Sequence, residues 1–134
     1  MFVIDASVTL MWCFEDETTE ASQALLRRLF TEGGVAPGHW PVEVANGLWT
    51  AGRRGRLAEG RLTLATTVLR DLPVDVACMD LEDALATFEV ARAQDLTAYD
   101  AAYLELARSR GLGLATADQR LAAACRNVGV PLIA

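Results

Sequence analysis

Short apolar runs alternate along this chain with stretches in which apolar side chains recur at helical spacing. Strands are predicted over residues 2–4, 35–36, 74–77, 112–115 and 130–133. Helices are predicted over residues 19–30, 41–52, 62–72, 81–93, 98–110 and 118–127. Strands that alternate with helices form a mostly parallel sheet covered on both faces. The pattern therefore predicts an α/β fold.

The length of the chain fits one domain, expected to span residues 1–134. No apolar run is long enough to cross a membrane, and the opening MFVIDASV lacks the basic start of a signal peptide. The three cysteines form no Cys-x-x-Cys motif and are expected to be buried thiols in a reducing compartment. They are Cys13, Cys78 and Cys125. We therefore expect a soluble cytoplasmic protein.

The basic residues exclude several chemistries. The 12 Lys and Arg positions are all arginine, so lysine Schiff bases, lysine general bases and phosphate-loop lysines are absent. The single histidine, His39, excludes zinc sites that need two histidines, and it is assigned no catalytic role in its turn before Trp40. The net charge of −6 argues against a nonspecific nucleic-acid coat. The 18 carboxylates are the main reactive groups that remain.

Four of these carboxylates stand where predicted strands end or the following helices begin. Asp5 directly follows the first strand, and Glu43 lies in the first turn of the helix after the second strand. Asp100 lies in the first turn of the helix that begins after Thr97, and Asp118 follows the strand at 112–115. In a parallel sheet these positions share one edge, where ligands bind. We therefore expect the four acids to lie close together.

Clustered carboxylates repel one another and raise each other's pKa. A divalent cation relieves this repulsion, and ligation by oxygen alone favours Mg²⁺ or Mn²⁺ over zinc. Such an ion can grip phosphate oxygens and activate water, as in phosphodiester hydrolysis. The four acids therefore predict a metal site that acts on phosphate esters.

Each acid also has an ordinary structural explanation. Asp100 stands at capping-box spacing from Thr97, Asp118 could be an N-cap, and Glu43 could favour a helix dipole. Asp5 has the weakest such explanation, because an acid at the end of an apolar strand has no obvious local partner. Taken together, the four acids favour the metal site.

Other polar residues lie near the acids in sequence. Ser7 and Thr116 stand two residues from Asp5 and Asp118, where they could tune the site by hydrogen bonding or serve as caps and turn residues. Three arginines follow the predicted helix at 41–52, and they form either a solvated loop or a phosphate-binding surface. They are Arg53, Arg54 and Arg56.

Four segments resemble the acidic motifs of PIN-domain ribonucleases, most closely those of VapC-type toxins from bacterial toxin–antitoxin pairs. They are FVIDASV at the start, PVEVANGLW around Glu43, LTAYDAAYLELA around Asp100 and LATADQRL around Asp118. The resemblance covers nearly the whole chain, with the four motifs in the family's order.

The resemblance implies a PIN-like three-layer sandwich with a central, mostly parallel sheet flanked by helices. It also implies an endoribonuclease toxin that depends on Mg²⁺ or Mn²⁺ and hydrolyses RNA phosphodiester bonds. Such toxins are usually homodimers, and a small VapB-like antitoxin protein neutralises them.

The family's roles can be carried over to the matching residues. Asp5 and Asp100 would be direct metal ligands, and Asp118 would complete the metal site directly or through water. Glu43 would orient or deprotonate the attacking water. The auxiliary residues would be Ser7 and Thr116, and the arginines that guide the RNA backbone would be Arg53, Arg54 and Arg56.

Rival classes fit less well. A haloacid-dehalogenase-like phosphatase needs a second acid two residues after its nucleophile, where this chain has Ser7. That class commonly uses a lysine, and a phosphate-accepting receiver domain requires one, but this chain has none. A PIN-like scaffold or binding module without catalysis is the remaining alternative. Loss of the acids would favour it, and all four are present.

Overall fold

The computed structural model describes residues 1–133 and contains a four-stranded parallel sheet. Its strand order is β3–β2–β1–β4, and Val3 of the central β1 lies opposite both Val35 and Leu114. The predicted α/β fold with a parallel sheet flanked by helices is confirmed. The strands are β1 (Phe2–Ile4), β2 (Gly34–Pro37), β3 (Val74–Ala77) and β4 (Leu114–Ala115).

Seven α-helices lie within the described residues, and most begin at a side chain that caps them. Thr19, Asp80, Thr97 and Asp118 each accept a hydrogen bond from the backbone N–H three residues later. A 3₁₀ turn covers Glu15–Glu17. The helices are α1 (Ala6–Met11), α2 (Glu20–Glu32), α3 (Trp40–Arg53), α4 (Glu59–Asp71), α5 (Leu81–Gln94), α6 (Ala98–Arg110) and α7 (Gln119–Val128).

The main differences between the prediction and the structure concern one helix and two strands. Helix α1 was not predicted, because its six residues follow β1 directly and are too few to show a helical period. Strand β4 is shorter than predicted at its start, because the N–H of Leu112 still bonds to the Ala107 carbonyl at the end of α6. The predicted strand at 130–133 is reduced to one bridge between Leu114 and Leu132.

The core forms around β1, whose three residues are all fully buried. Helix α6 packs against β1, β2 and β4, so its first turn is held at the same edge of the sheet as the ends of those strands. Not one of the helices formed by residues 1–133 is long and apolar enough to span a bilayer.

The prediction that all three cysteines are buried is wrong for Cys78, which is exposed just after β3. Cys13 and Cys125 are buried, and burial raises the pKa of each thiol to about 11. These two thiols are therefore protonated at neutral pH and unreactive.

Leu29→Ala should destabilise the fold by about 2–5 kcal/mol, because the α2 side chain is 0% exposed and its removal leaves a cavity. The matched variant is Leu64→Ala in α4, whose side chain is 58% exposed and should cost less than about 0.5 kcal/mol. Urea unfolding of both variants measures the difference. Equal losses would contradict the assigned core.

Candidate active site

The chain leaves the central strand β1 towards β2 on one side and returns as β4 on the other. Such a switch point opens a crevice at the carboxyl ends of the strands. Asp5 follows β1 and Thr116 follows β4, so both lie at this crevice. The parallel pairing of β1 with β4 therefore brings together residues that are more than 100 positions apart.

The Asp5 carboxylate is buried, at 4% exposure, and three donors bond to it. Its Oδ1 accepts bonds from Ser7 Oγ at 2.6 Å and Val8 N at 2.9 Å, and its Oδ2 accepts one from the Thr116 hydroxyl. Burial raises the pKa of Asp5, and these three bonds lower it in part. The expectation that Asp5 has no local partner is wrong, since it caps the unpredicted α1.

Two hydroxyls connect the start of α1 with the start of α7. Ser7 Oγ accepts a bond from Ala117 N at 2.9 Å, and Thr116 Oγ1 accepts one from Asp118 N at 2.9 Å. The hydroxyl oxygens themselves are 3.4 Å apart. The structure thus places Ser7 and Thr116 between Asp5 and Asp118, where they hold the buried carboxylate from both sides.

Asp100 and Asp118 differ in how they relate to their helices. Asp118 is the N-cap of α7, and its Oδ1 accepts a bond from Leu121 N at 2.9 Å. Thr97 caps α6 by accepting from Asp100 N at 3.1 Å. In the described part of the chain, however, the Asp100 carboxylate returns no bond to the Thr97 N–H. Helix capping therefore occupies one carboxylate oxygen of Asp118. The Asp100 carboxylate does not complete a capping box with Thr97.

Glu43 lies in the first turn of α3 and has partners that the sequence analysis missed. The hydroxyl of Tyr103 donates a 2.6 Å hydrogen bond to Glu43 Oε1, and His39 Nε2 lies 3.9 Å from the same oxygen. A signal was present in the spacing: His39 is four residues before Glu43, and Tyr103 is three residues after Asp100. Each pair therefore lies on one face of a helix.

Charge effects connect three pairs of the four acids: Asp100 with Asp118, Asp100 with Glu43, and Asp5 with Glu43. Burial raises the pKa of Asp100, and the charges of Asp118 and Glu43 raise it further. The charge of Glu43 also contributes to the raised pKa of Asp5. Among residues 1–133, His39 is the only basic residue that lies within ion-pair distance of any of the four. The acids therefore share one crevice with little compensating positive charge.

The donor chemistry of this crevice fits a hard divalent cation. It offers carboxylate oxygens that no arginine among residues 1–133 neutralises, and Mg²⁺ and Mn²⁺ prefer oxygen ligands. Over residues 1–133, no three acid, histidine or cysteine side chains are arranged as a ready-made metal site. The acids thus supply carboxylate oxygens at one edge of the sheet, although they do not already surround a metal position.

The three arginines at the end of α3 differ in what they contact. Arg56 bonds to Asp16 at 3.2 Å and Glu17 at 2.9 Å, and its guanidinium lies 4.4 Å from the centre of the Phe14 ring. Arg53 lies 5.9 Å from the centre of the Trp49 ring. The charge of Arg56 is therefore compensated by two acids, and the role of the three arginines as a phosphate-binding surface stays a prediction.

Arg54 lines a groove of about 500 Å³ that begins beside the crevice. The groove lies between α1 and α3 and includes Ser7 and Ala117 at the end nearest Asp5. Its walls are mostly apolar, from Leu10, Met11 and Phe14. Arg54 makes no ion pair with any acid in the described residues, so its charge is available to a ligand in this groove.

Fold and site together define a class: an α/β protein with an acidic crevice at the switch point of its sheet. A family model described as PIN domain matches residues 2–127. A curated relative from Mycobacterium tuberculosis, named Ribonuclease VapC3, is 34% identical over 122 residues, or 91% of this chain and 85% of that protein. A second Ribonuclease VapC3, from Pyrobaculum aerophilum, is 34% identical over 127 residues, or 90% of this chain and 91% of that protein.

Solved structures share the fold. The crystal structure of PAE2754 from Pyrobaculum aerophilum has a TM-score of 0.73 at 24% identity, covering 98% of this chain and 89% of that one. The structure of VapC20 from Mycobacterium tuberculosis, described as a sarcin–ricin loop cleaving toxin, has a TM-score of 0.63 at 17% identity, covering 92% and 95%. The chain therefore belongs to the PIN-domain family, and its curated relatives place it with the VapC ribonucleases.

Asp100→Asn should raise the thermal unfolding midpoint by a few degrees at pH 7 in EDTA. Burial and the charges of Asp118 and Glu43 raise the pKa of Asp100, so its ionised form is disfavoured in the folded chain. The gain should vanish as the pH falls below the ordinary value of 3.8, where the carboxyl is protonated in both states.

The control for this prediction is Asp75→Asn, at an exposed position in β3, which should leave the midpoint unchanged at both pH values. Calorimetry or circular dichroism gives the midpoints. A lower midpoint for Asp100→Asn at pH 7 would show that the ionised carboxylate stabilises the fold instead.

Proposed function

We propose that this chain is the endoribonuclease toxin of a toxin–antitoxin pair and that it requires Mg²⁺ or Mn²⁺. The ribonuclease class predicted from the sequence is borne out by family membership and by two relatives named as VapC ribonucleases. The observation that carries the proposal is the position of four carboxylates at one edge of the sheet, where Asp5 and Asp118 share the Ser7–Thr116 hydrogen bonds and the charges of Asp118 and Glu43 act on Asp100. Their charges repel one another unless a cation or a proton is shared among them.

The acids divide into two groups by their surroundings. Asp5, Asp100 and Asp118 would hold the metal, with Asp5 fixed in direction by Ser7 and Thr116. When bound, the ion would supply charge stabilisation for the phosphate oxygens and a lowered pKa for water. Glu43 has a hydroxyl partner on one oxygen only and would be the group that takes a proton.

The reaction that these residues support is hydrolysis of one phosphodiester bond. A water molecule gives a proton to Glu43, and its oxygen forms a bond to phosphorus in line with the leaving ribose oxygen. The bond between phosphorus and that ribose oxygen breaks, and the leaving oxygen takes a proton from solvent. The products are one fragment that ends in a phosphate and one that ends in a hydroxyl.

The groove that contains Arg54 offers a path for the RNA. It leads away from Ser7 at the crevice and combines apolar walls with one uncompensated guanidinium. Arg54 would contact a backbone phosphate, while the apolar walls accept sugar and base surfaces. Arg53 would add a second, more peripheral positive charge.

The proposal extends to partners. We place the toxin in the cytoplasm with its RNA substrate, as a homodimer that a VapB-like antitoxin neutralises. Large apolar side chains on the surface of α3 and α5 supply area for such protein contacts. They are Val42, Trp49, Leu81, Leu85 and Phe88.

Asp5→Asn and Asp100→Asn should each lower RNA cleavage in Mn²⁺ by at least about 100-fold, because each removes a charged metal ligand. Asp75→Asn again serves as the matched control, since it is the same substitution at an exposed strand position. Gel assays on a labelled RNA with purified proteins measure the rates. Unchanged cleavage by both crevice variants would rule out the assignment.

Metal binding gives a second readout for the same variants. Mn²⁺ at 100 times its Kd should stabilise the wild-type protein by about 2.7 kcal/mol, and Asp5→Asn should lose most of this effect. If millimolar Mn²⁺ changes neither stability nor cleavage, the scaffold or binding-module function is favoured.

Arg54→Ala should weaken RNA binding more than Arg56→Ala, because Arg56 is already held by Asp16 and Glu17. Loss of one phosphate contact should reduce the salt dependence of log K by about 0.7 for single-stranded RNA. Fluorescence anisotropy in the Asp5→Asn background avoids cleavage during the measurement. A larger loss for Arg56→Ala would place the RNA elsewhere.

A further inference from the structure

One oxygen of Glu43 lies between two side chains that the proposed reaction has not used. Tyr103 donates its hydroxyl hydrogen to Oε1 at 2.6 Å, and His39 Nε2 lies 3.9 Å from the same atom. The two partners come from different elements, since Tyr103 is in α6 and His39 directly precedes α3. In the described part of the chain no hydrogen bond is made to the other oxygen, Oε2.

Tyr103 is built into the core, so its hydroxyl is held rigidly. The residue is 1% exposed, on the helix that packs against three strands of the sheet. Burial, followed by the hydrogen bond to Glu43 and the charge of Glu43, raises the pKa of Tyr103. The phenol is therefore a hydrogen-bond donor at neutral pH.

His39 has an unusual environment for a polar side chain. Its Nε2 is buried and has no hydrogen-bond partner among residues 1–133. Its ring packs edge-on against Tyr103, with centroids 5.0 Å apart, and tilts against Tyr99 at 5.6 Å. A buried ring nitrogen without a hydrogen-bond partner costs free energy of folding. Its position beside the Glu43 carboxylate therefore suggests that it acts on that carboxylate.

We propose that Tyr103 and His39 are positioning residues for Glu43. Tyr103 holds Oε1 and His39 lies beside the same oxygen, which leaves Oε2 free to take the proton from the attacking water. Tyr103 fixes the carboxylate by a direct bond, and His39 stands ready to bond to Oε1 when Glu43 shifts by a fraction of its present 3.9 Å separation. The inference rests on the proposed hydrolysis, in which Glu43 is the proton acceptor.

A held carboxylate suits this task for a physical reason. A general base acts only when its oxygen is within hydrogen-bond reach of the proton that it takes, and a glutamate has three rotatable side-chain bonds. Because the buried Tyr103 hydroxyl anchors Oε1, the other oxygen, Oε2, points in one fixed direction. Within residues 1–133, neither Tyr103 nor His39 makes a hydrogen bond or ion pair to the three acids assigned to the metal.

Tyr103→Phe tests the inference with a matched control on the same helix. The variant should lower kcat about 10- to 100-fold with little change in KM, as is typical when a supporting hydrogen bond is removed. Tyr99→Phe makes the same chemical change at an exposed ring and should leave kcat unchanged. His39→Phe keeps the aromatic packing and should give a smaller fall in kcat, because its contact with Oε1 is longer.

Two further measurements separate positioning from a merely structural role. In the Glu43→Gln background, Tyr103→Phe should cause no further loss of single-turnover rate, because its partner is already removed. In the Tyr99→Phe background Tyr103 is the sole tyrosine, and adding Glu43→Gln should lower the pH at which its absorbance reports ionisation. Mn²⁺ affinity by calorimetry should be the same for Tyr103→Phe and wild type.

Equal kcat values for Tyr103→Phe and Tyr99→Phe would overturn the inference while leaving the nuclease function intact. An additional loss in the Glu43→Gln background would do the same, because it would show that Tyr103 acts on the fold and not through Glu43. If Tyr103→Phe does not fold, His39→Phe in the same cycle decides the question. A wild-type protein that fails to cleave RNA overturns the function and this inference together.

Discussion

The pairing of two hydroxyls with one buried carboxylate connects the fold of this chain to its chemistry. Asp5 ends the central strand, and Ser7 and Thr116 reach it from the starts of the two helices that follow neighbouring strands. Without these donors, a carboxylate at 4% exposure would be an uncompensated buried charge, which proteins avoid. With them, Asp5 is held in one direction at the mouth of the crevice.

The other acids make the crevice electrostatically unfavourable in the absence of a ligand. Burial and like charge both raise the pKa of Asp100, and no arginine balances the cluster among residues 1–133. A site that carries this repulsion in the folded state gains most from binding a cation, because the same ion removes the repulsion and completes the site. Reduced stability and metal affinity thus have one physical origin.

Arg54 and Arg56 are close in sequence, but tertiary contacts in the described part of the chain compensate the charge of only one of them. Arg54 and Arg56 are separated by one glycine whose φ of +71° turns the chain after α3. Both side chains line the groove between α1 and α3, but Arg56 pairs with Asp16 and Glu17, whereas Arg54 makes no ion pair within residues 1–133. Of the two, Arg54 is therefore the arginine whose charge no acid in the described residues compensates, although composition treats them as equivalent.

Sequence patterns were informative wherever a local rule applied. Helix α6 was predicted at its observed bounds because Thr97 caps it and Gly111 ends it in the left-handed conformation. Strand β3 was predicted at its bounds because Pro73 separates it from the preceding helix. Helix α1 was missed because six residues after a strand carry too little periodicity, and with it the cap that Asp5 provides was missed.

The sequence by itself determined the class of fold, the order of the four acids and the chemistry that oxygen ligands allow, because periodicity, turn residues and side-chain types are local properties. Only the tertiary structure decided which groups meet: the hydroxyl of Tyr103 on Glu43, the unpartnered nitrogen of His39 beside it, and the acids that occupy Arg56. Contacts between elements depend on how the helices pack on the sheet, and the spacing of residues along the chain does not specify that packing.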